Sequence, residues 1–151
     1  MNKKGFTLVE LLATMAILAI ISAIAIPNIL RIMDDNKKDK VISDAESLIA
    51  LAKYEVAKNS SLRESLDSGN VRLSLRTLDN KNTIMNDPNN NAYNRDDSNI
   101  IVSKSSGVIE YCVYLVSQNF KVSMAVNNDN CVKETIILGD NPKRYVNDVE
   151  S

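Results

Sequence analysis

The sequence predicts an α+β protein, with one long N-terminal helix followed by a small head built on an antiparallel sheet. Three observations carry this expectation. An apolar run extends from Phe6 to Ile26, and its only polar members are Thr7, Glu10, Thr14 and Ser22. Further on, Val41, Ile42, Ala45, Leu48, Ile49, Ala52 and Val56 recur at three- and four-residue intervals, which puts them on one face of a helix. Beyond residue 99, short stretches alternate apolar and polar residues with period two, as strands with one covered face do.

The first run is long enough to cross a bilayer, which takes about 20 apolar residues. Ahead of it stands a short leader, Met1 to Gly5, with Lys3 and Lys4. These cations favour a cytoplasmic N-terminus and leave the rest of the chain outside. Glu10 is the anomaly, because an ionisable group in such a segment costs on the order of a few kcal/mol and marks a functional position whose partner has to be named. A cut between Gly5 and Phe6 would place a new α-ammonium four residues away, about one helical turn. Within one helix both charges would still lie in hydrocarbon, so the pair is better made between neighbouring copies. A wrong register would leave both unpaired, and Glu10 would thereby set the axial step of an assembly.

The stretch Gly5-Phe6-Thr7-Leu8-Val9-Glu10, with basic residues before it and Pro27 after it, resembles the N-terminus of type IV prepilins and the related pseudopilins. The likeness covers roughly the first thirty residues. It implies that a prepilin peptidase cuts after Gly5 and methylates the amine of Phe6, that Glu10 is the assembly carboxylate, and that Pro27 kinks the helix. It also implies the type IV pilin fold and an assembly platform protein and motor as partners. Membrane lipid would surround the helix before assembly, and other pilins would contact residues 6–58 afterwards. Two plainer readings compete. A secretory signal peptide would use Ala23-Ile24-Ala25 as its cleavage site but has no use for Glu10. A simple single-pass anchor explains the hydrophobicity but not the Gly5-Phe6 junction.

The expected organisation is a leader at 1–5, a membrane and polymerisation helix at 6–26, an amphipathic helix at 27–58 and a head at 59–151. Proline removes a backbone donor and clashes with the preceding turn, so a bend or local unwinding is expected over Ala23 to Pro27. A helix from Phe6 to Lys58 would be about 80 Å long at ~1.5 Å per residue, ending at Asn59-Ser60-Ser61. Within the head, 59–98 reads as a loop region with a helical turn at Leu62 to Leu66 and a short strand from Val71 to Leu75. The sheet is expected over 99–138, in strands at Ile100 to Ser103, Val108 to Val116, Phe120 to Val126 and Thr135 to Leu138. Turns fall at Ser105-Ser106-Gly107, Ser117 to Asn119 and Asn127 to Asn130, and an antiparallel meander is the economical topology. Residues 139–151 read as a C-terminal tail.

Cys112 and Cys131 leave two readings open. A bridge between them is chemically allowed outside the cell, and the family resemblance implies a disulfide in the C-terminal region. A strict meander would instead set them two strands apart, about 10 Å, beyond bridging range. Asp87, Asn89 and Asn91 have the spacing of the first three ligands of a calcium loop. The pattern breaks at Ala92, where glycine is needed, and at Ser98, where the bidentate glutamate belongs, so a turn-rich loop is the expectation and calcium the alternative.

Composition narrows the function. The net charge is -1, and loss of Lys3 and Lys4 leaves 16 basic against 19 acidic side chains from the initial 18 and 19, a balance of -3, no electrostatic footprint for nucleic acid. There is no His, hence no Ser-His-Asp arrangement or imidazole metal site. The four glycines are scattered singly, which rules out a phosphate loop or dinucleotide fingerprint. An enzyme and a cofactor are therefore not expected. The resulting expectation is a structural subunit of a type IV pilus, with two alternatives: a minor pilin or pseudopilin priming a short fibre for secretion or DNA uptake, and a tip module that binds a receptor.

Overall fold

The computed structural model describes residues 7–124 and 131–149. Two compact units divide the chain, Met1–Asn36 and Lys37–Ser151, and helix α1, Leu8–Lys58, contributes to both.

In the first unit, α1 meets no core. Its large apolar side chains from Leu8 to Met33 are all between 52% and 80% exposed. Polar side chains among them turn back onto the helix, the Thr14 hydroxyl donating to the Leu11 carbonyl at 2.8 Å and Asn28 Nδ2 to the Ile24 carbonyl at 3.2 Å. The helix continues unbroken through Pro27, so the unwinding expected at Ala23 to Pro27 is absent. Only the hydrogen bond that a proline nitrogen cannot donate is lost there.

In the second unit, the same helix becomes one-sided. Val41, Ile42, Ala45, Leu48, Ile49, Ala52 and Val56 are all buried and join Leu73, Ile100, Val102, Val113, Leu115, Phe120 and Val122 in one core. After α1, Asn59 caps helix α2, Ser60–Ser68, its Oδ1 accepting the Ser61 amide at 3.1 Å and the Leu62 amide at 3.4 Å. Strand β1, Val71–Ser74, leads into the short helix α3, Leu75–Leu78. Strands β2, Asn99–Ser105, and β3, Val108–Val116, form a hairpin whose register pairs Ser105 with Val108. The two-residue turn needs positive φ at both positions, and Ser106 at 51° with Gly107 at 82° supply it.

The sheet is antiparallel throughout, and its order departs from a strict meander. Strands run β1-β2-β3-β4-β6, where β4 is Phe120–Val122 and β6 is Val146–Asp148, while β5, Val132–Lys133, pairs with β3. β2 occupies one edge of β3, so β4 and β5 share the other. β4 lies opposite Leu115 and Val116 and β5 opposite Cys112 and Val113. The chain thus leaves that edge after Val122 and returns to it at Val132. The strand expected over Phe120 to Val126 ends at Val122, Met124 is 46% exposed, and Ala125 to Asn130 lie outside the described residues.

Two further expectations are corrected. Thr135 to Leu138 is not a strand: helix α4, Glu134–Ile137, occupies this stretch, its β-branched composition overridden by burial of Ile137, which is 1% exposed. The expected tail contains β6, which pairs with β4 through Phe120 with Asp148 and Val122 with Val146.

Buried carboxylates hold the long connection between α3 and β2, as satisfied buried charges must. Asp44 on α1 accepts the Tyr93 hydroxyl at 2.9 Å and also pairs with Lys40. Burial, then the charge and hydrogen bond of Asp44 and the charge of Asp87, push the Tyr93 phenol upward, so it remains a neutral donor. Asp79, 2% exposed, accepts the amides of Thr83 at 2.8 Å and Ile84 at 2.7 Å and faces Arg95 at 3.8 Å.

Leu48→Ala should destabilise the head by about 2–5 kcal/mol, read as a lower urea midpoint of the detergent-solubilised chain. Burial alone would raise the Asp79 carboxyl, but the Ile84 and Thr83 amides, the Thr83 hydroxyl and Arg95 together hold it below the usual carboxylate range. Its stabilisation is therefore complete above the unfolded value of about 3.9 and lost as pH falls through the lower folded value. Asp79→Asn should lower the midpoint at pH 7, and the gap to the parent chain should narrow at about pH 2; an unchanged gap would contradict this role.

Candidate functional site

The chemistry-bearing position of the first unit is the start of α1. Thr7 precedes the first helical residue and Glu10 sits in the first turn. Glu10 Oε2 accepts the Thr7 amide at 2.8 Å and the Thr7 hydroxyl at 2.9 Å, while the Glu10 amide donates to Thr7 Oγ1 at 3.3 Å. This is a reciprocal capping box, in which the N-cap hydroxyl and the carboxylate three residues later satisfy amides that the helix leaves without partners. Its signature, Thr7-Leu8-Val9-Glu10, was readable in the sequence; the apolar setting drew attention to the charge of Glu10 and away from its spacing to Thr7.

The cap changes what Glu10 needs. A carboxylate offers about four lone-pair sites on two oxygens. Oε2 is engaged within the chain, whereas Oε1 accepts from no described residue. An anion near a helix N-terminus is also favoured by the aligned peptide dipoles. Part of the cost of placing Glu10 in an apolar run is therefore met locally through Oε2.

The other sequence candidates are distributed as follows. Gly5 and Phe6, the expected cleavage and methylation positions, lie outside the described residues. Pro27 is inside α1 and far along the chain from Glu10. Cys112 and Cys131 are bonded, with sulfurs 2.03 Å and Cα atoms 5.3 Å apart. The separation computed for a strict meander does not apply, since β5 pairs directly with β3 and sets Lys133 opposite Cys112. Closing a loop of about 20 residues stabilises by roughly 3 kcal/mol in the chain-entropy account.

Asp87, Asn89 and Asn91 form a turn held from within. Asp87 Oδ1 accepts the amides of Asn89 at 2.8 Å and Asn91 at 2.9 Å, and Oδ2 accepts the Ser117 hydroxyl at 2.7 Å. The Asn91 side-chain amide is engaged by Asn119. A calcium ion would have to displace these donors from a carboxylate that is 4% exposed. Among the described residues no three His, Cys, Asp or Glu side chains come together as a metal group.

By length and composition, α1 can cross a membrane. Residues 1–26 match a family model described as the prokaryotic N-terminal methylation motif. No curated protein and no solved structure matches the chain. The N-terminal segment thus carries the type IV prepilin-like leader signature, and with a long apolar helix and an antiparallel head of pilin-like α+β architecture it supports a type IV pilin-like or pseudopilin protein.

Proposed function

We propose that this chain is a structural subunit of a type IV pilus. After a prepilin peptidase removes Met1 to Gly5 and methylates Phe6, the first half of α1 anchors the protein in the membrane with the head outside. The subunits then polymerise through the same helix. The observation that carries this reading is the exposure of every large apolar side chain from Leu8 to Met33 behind a matched methylation motif. Such a surface needs lipid before assembly and sister helices after it.

Glu10 gives the exchange its register. In the bilayer, Thr7 holds Oε2. In the filament, Oε1 receives the methylated amine of a neighbouring Phe6, and the two charges neutralise each other where neither meets water. Lipid and sister helices are comparably apolar, so a motor and platform protein supply the work of extraction. Pro27, which lacks one backbone donor, gives the helix a place to bend during that movement. The heads form the outer surface. Abundance in sheared filaments separates a major subunit from a minor or priming one.

Glu10→Val should leave membrane insertion and cleavage intact and lower the filament yield about tenfold or more, because both members of the pair act at every added subunit. The measurement is protein in the sheared fraction, with intact mass of the membrane form as control. Parental filament yield from that variant, or a native chain beginning anywhere but at N-methylated Phe6, would overturn the reading. Thr7→Val should weaken the helix start by about 1 kcal/mol, seen as faster amide exchange at residues 8–11 in micelles. Thr7→Ser should preserve protection.

A further inference from the structure

Several charges on α1 have no ion-pair partner among the described residues, and two of them sit where its exposed apolar surface ends. Arg31 and Asp35 are exposed and one helical turn apart, yet neither bonds to the other or to any described residue. Arg31 interrupts an apolar surface made by Ile29, Leu30, Ile32 and Met33, each between 52% and 61% exposed. That surface continues the one that sister helices would cover, so covering it brings Arg31 against another copy. Within a single helix, a cation four residues before an anion is the weaker orientation of an i,i+4 pair, which leaves both groups available to a partner.

Their positions repeat those of the first pair. Twenty-five positions separate Glu10 from Asp35, and the same twenty-five separate Phe6 from Arg31. At about 100° per residue this spacing is seven turns less about 20°, so Glu10 and Asp35 lie on nearly the same line of the helix about 37 Å apart. Resting on the pilin reading, the geometry then fixes a second contact. When the Glu10 carboxylate of one copy takes the amine of a parallel neighbour, that neighbour is, on the pilin reading, displaced by about four positions of sequence. Its Arg31 comes level with Asp35 of the first copy.

We propose that Arg31 of one subunit and Asp35 of the adjacent subunit form a second intersubunit ion pair, in the same register and with the same polarity as the pair at Glu10. Before assembly both lie at the head-side end of the apolar surface, where long side chains reach headgroups and water, so they cost less than Glu10 while the monomer waits. In the filament the two pairs bracket the apolar segment. A slip of one turn would then break both at once, and an unpaired buried charge is the stronger penalty.

The test reverses the charges in the full-length chain, in cells that assemble the filament, with the mature membrane form quantified by immunoblot. Arg31→Asp and Asp35→Arg should each lower sheared filament yield about tenfold with the membrane pool unchanged, and the double reversal should recover yield to within about twofold of the parent. A second arm co-expresses an Arg31→Cys chain with an Asp35→Cys chain. A disulfide-linked dimer in the filament fraction supports an intermolecular contact, since neither chain alone carries both cysteines at this site. Failure of the double reversal to recover, or absence of the linked dimer, while the parent assembles and Glu10→Val does not, overturns this pair and leaves the pilin reading standing. Absence of filaments from the parent chain overturns both.

Discussion

An α-helix satisfies its own backbone but not its own side chains, and between Leu8 and Met33 this one leaves every large apolar group open. Burial of apolar area at about 25 cal/mol per Å² makes exposure of such a surface to water untenable. Two covers exist, hydrocarbon and other helices, and they are nearly equivalent in polarity. The apolar surface therefore confines the segment without choosing between monomer and assembly. On the proposed reading that choice falls to the few polar groups, which would make one carboxylate and its capping threonine matter more here than the many leucines and isoleucines around them.

Past Asn36 the same helix obeys a different rule. Its apolar residues narrow to a single stripe, Val41 to Val56, and all seven members are buried. The opposite face is mostly polar, with Tyr54 exposed among its charges, and the connection between α3 and β2 is tied down by Asp44 with Tyr93 and by Asp79 with Thr83, Ile84 and Arg95. The Cys112–Cys131 bond fastens the chain where it rejoins β3. Stem and head are thus specified by two hydrophobic patterns on one continuous helix. Apolar residues on all sides call for an outside partner, and apolar residues on one side call for an internal one.

What the sequence made legible was periodic. The stripe was readable because each member repeats at helical spacing, and β2, β3 and the start of β4 because Ile100, Val102, Val113, Leu115, Phe120 and Val122 alternate with polar or half-exposed neighbours. What stayed hidden depends on partners distant in sequence. Val146-Asn147-Asp148 has no alternation to reveal a strand, and becomes one only because Phe120 to Val122 present an open edge. The place of β5 beside β3 follows from the chain's return to that edge, which local pattern does not encode. At α4, β-branched Thr135, Ile136 and Ile137 suggested extension, and the core claimed Ile137 through a helical turn instead. At the site, the capping box was present in four residues, Thr7 to Glu10, and the charge of Glu10 concealed its geometry.

That concealment bears on why a glutamate would suit this position in the proposed assembly. A carboxylate free to rotate would be a poor marker of register, since several ångströms of side-chain reach would blur a four-residue step. The cap removes much of that freedom: Oε2 is fixed to the amide and hydroxyl of Thr7, so Oε1 keeps a defined relation to the helix axis. Glutamate has the length that the reciprocal cap uses, and it retains a full charge that glutamine would lack. On the proposed reading, holding the carboxylate still and leaving Oε1 without a described donor are one arrangement: the protomer would be stable enough to wait in the membrane, yet would keep an acceptor for a sister chain's amine.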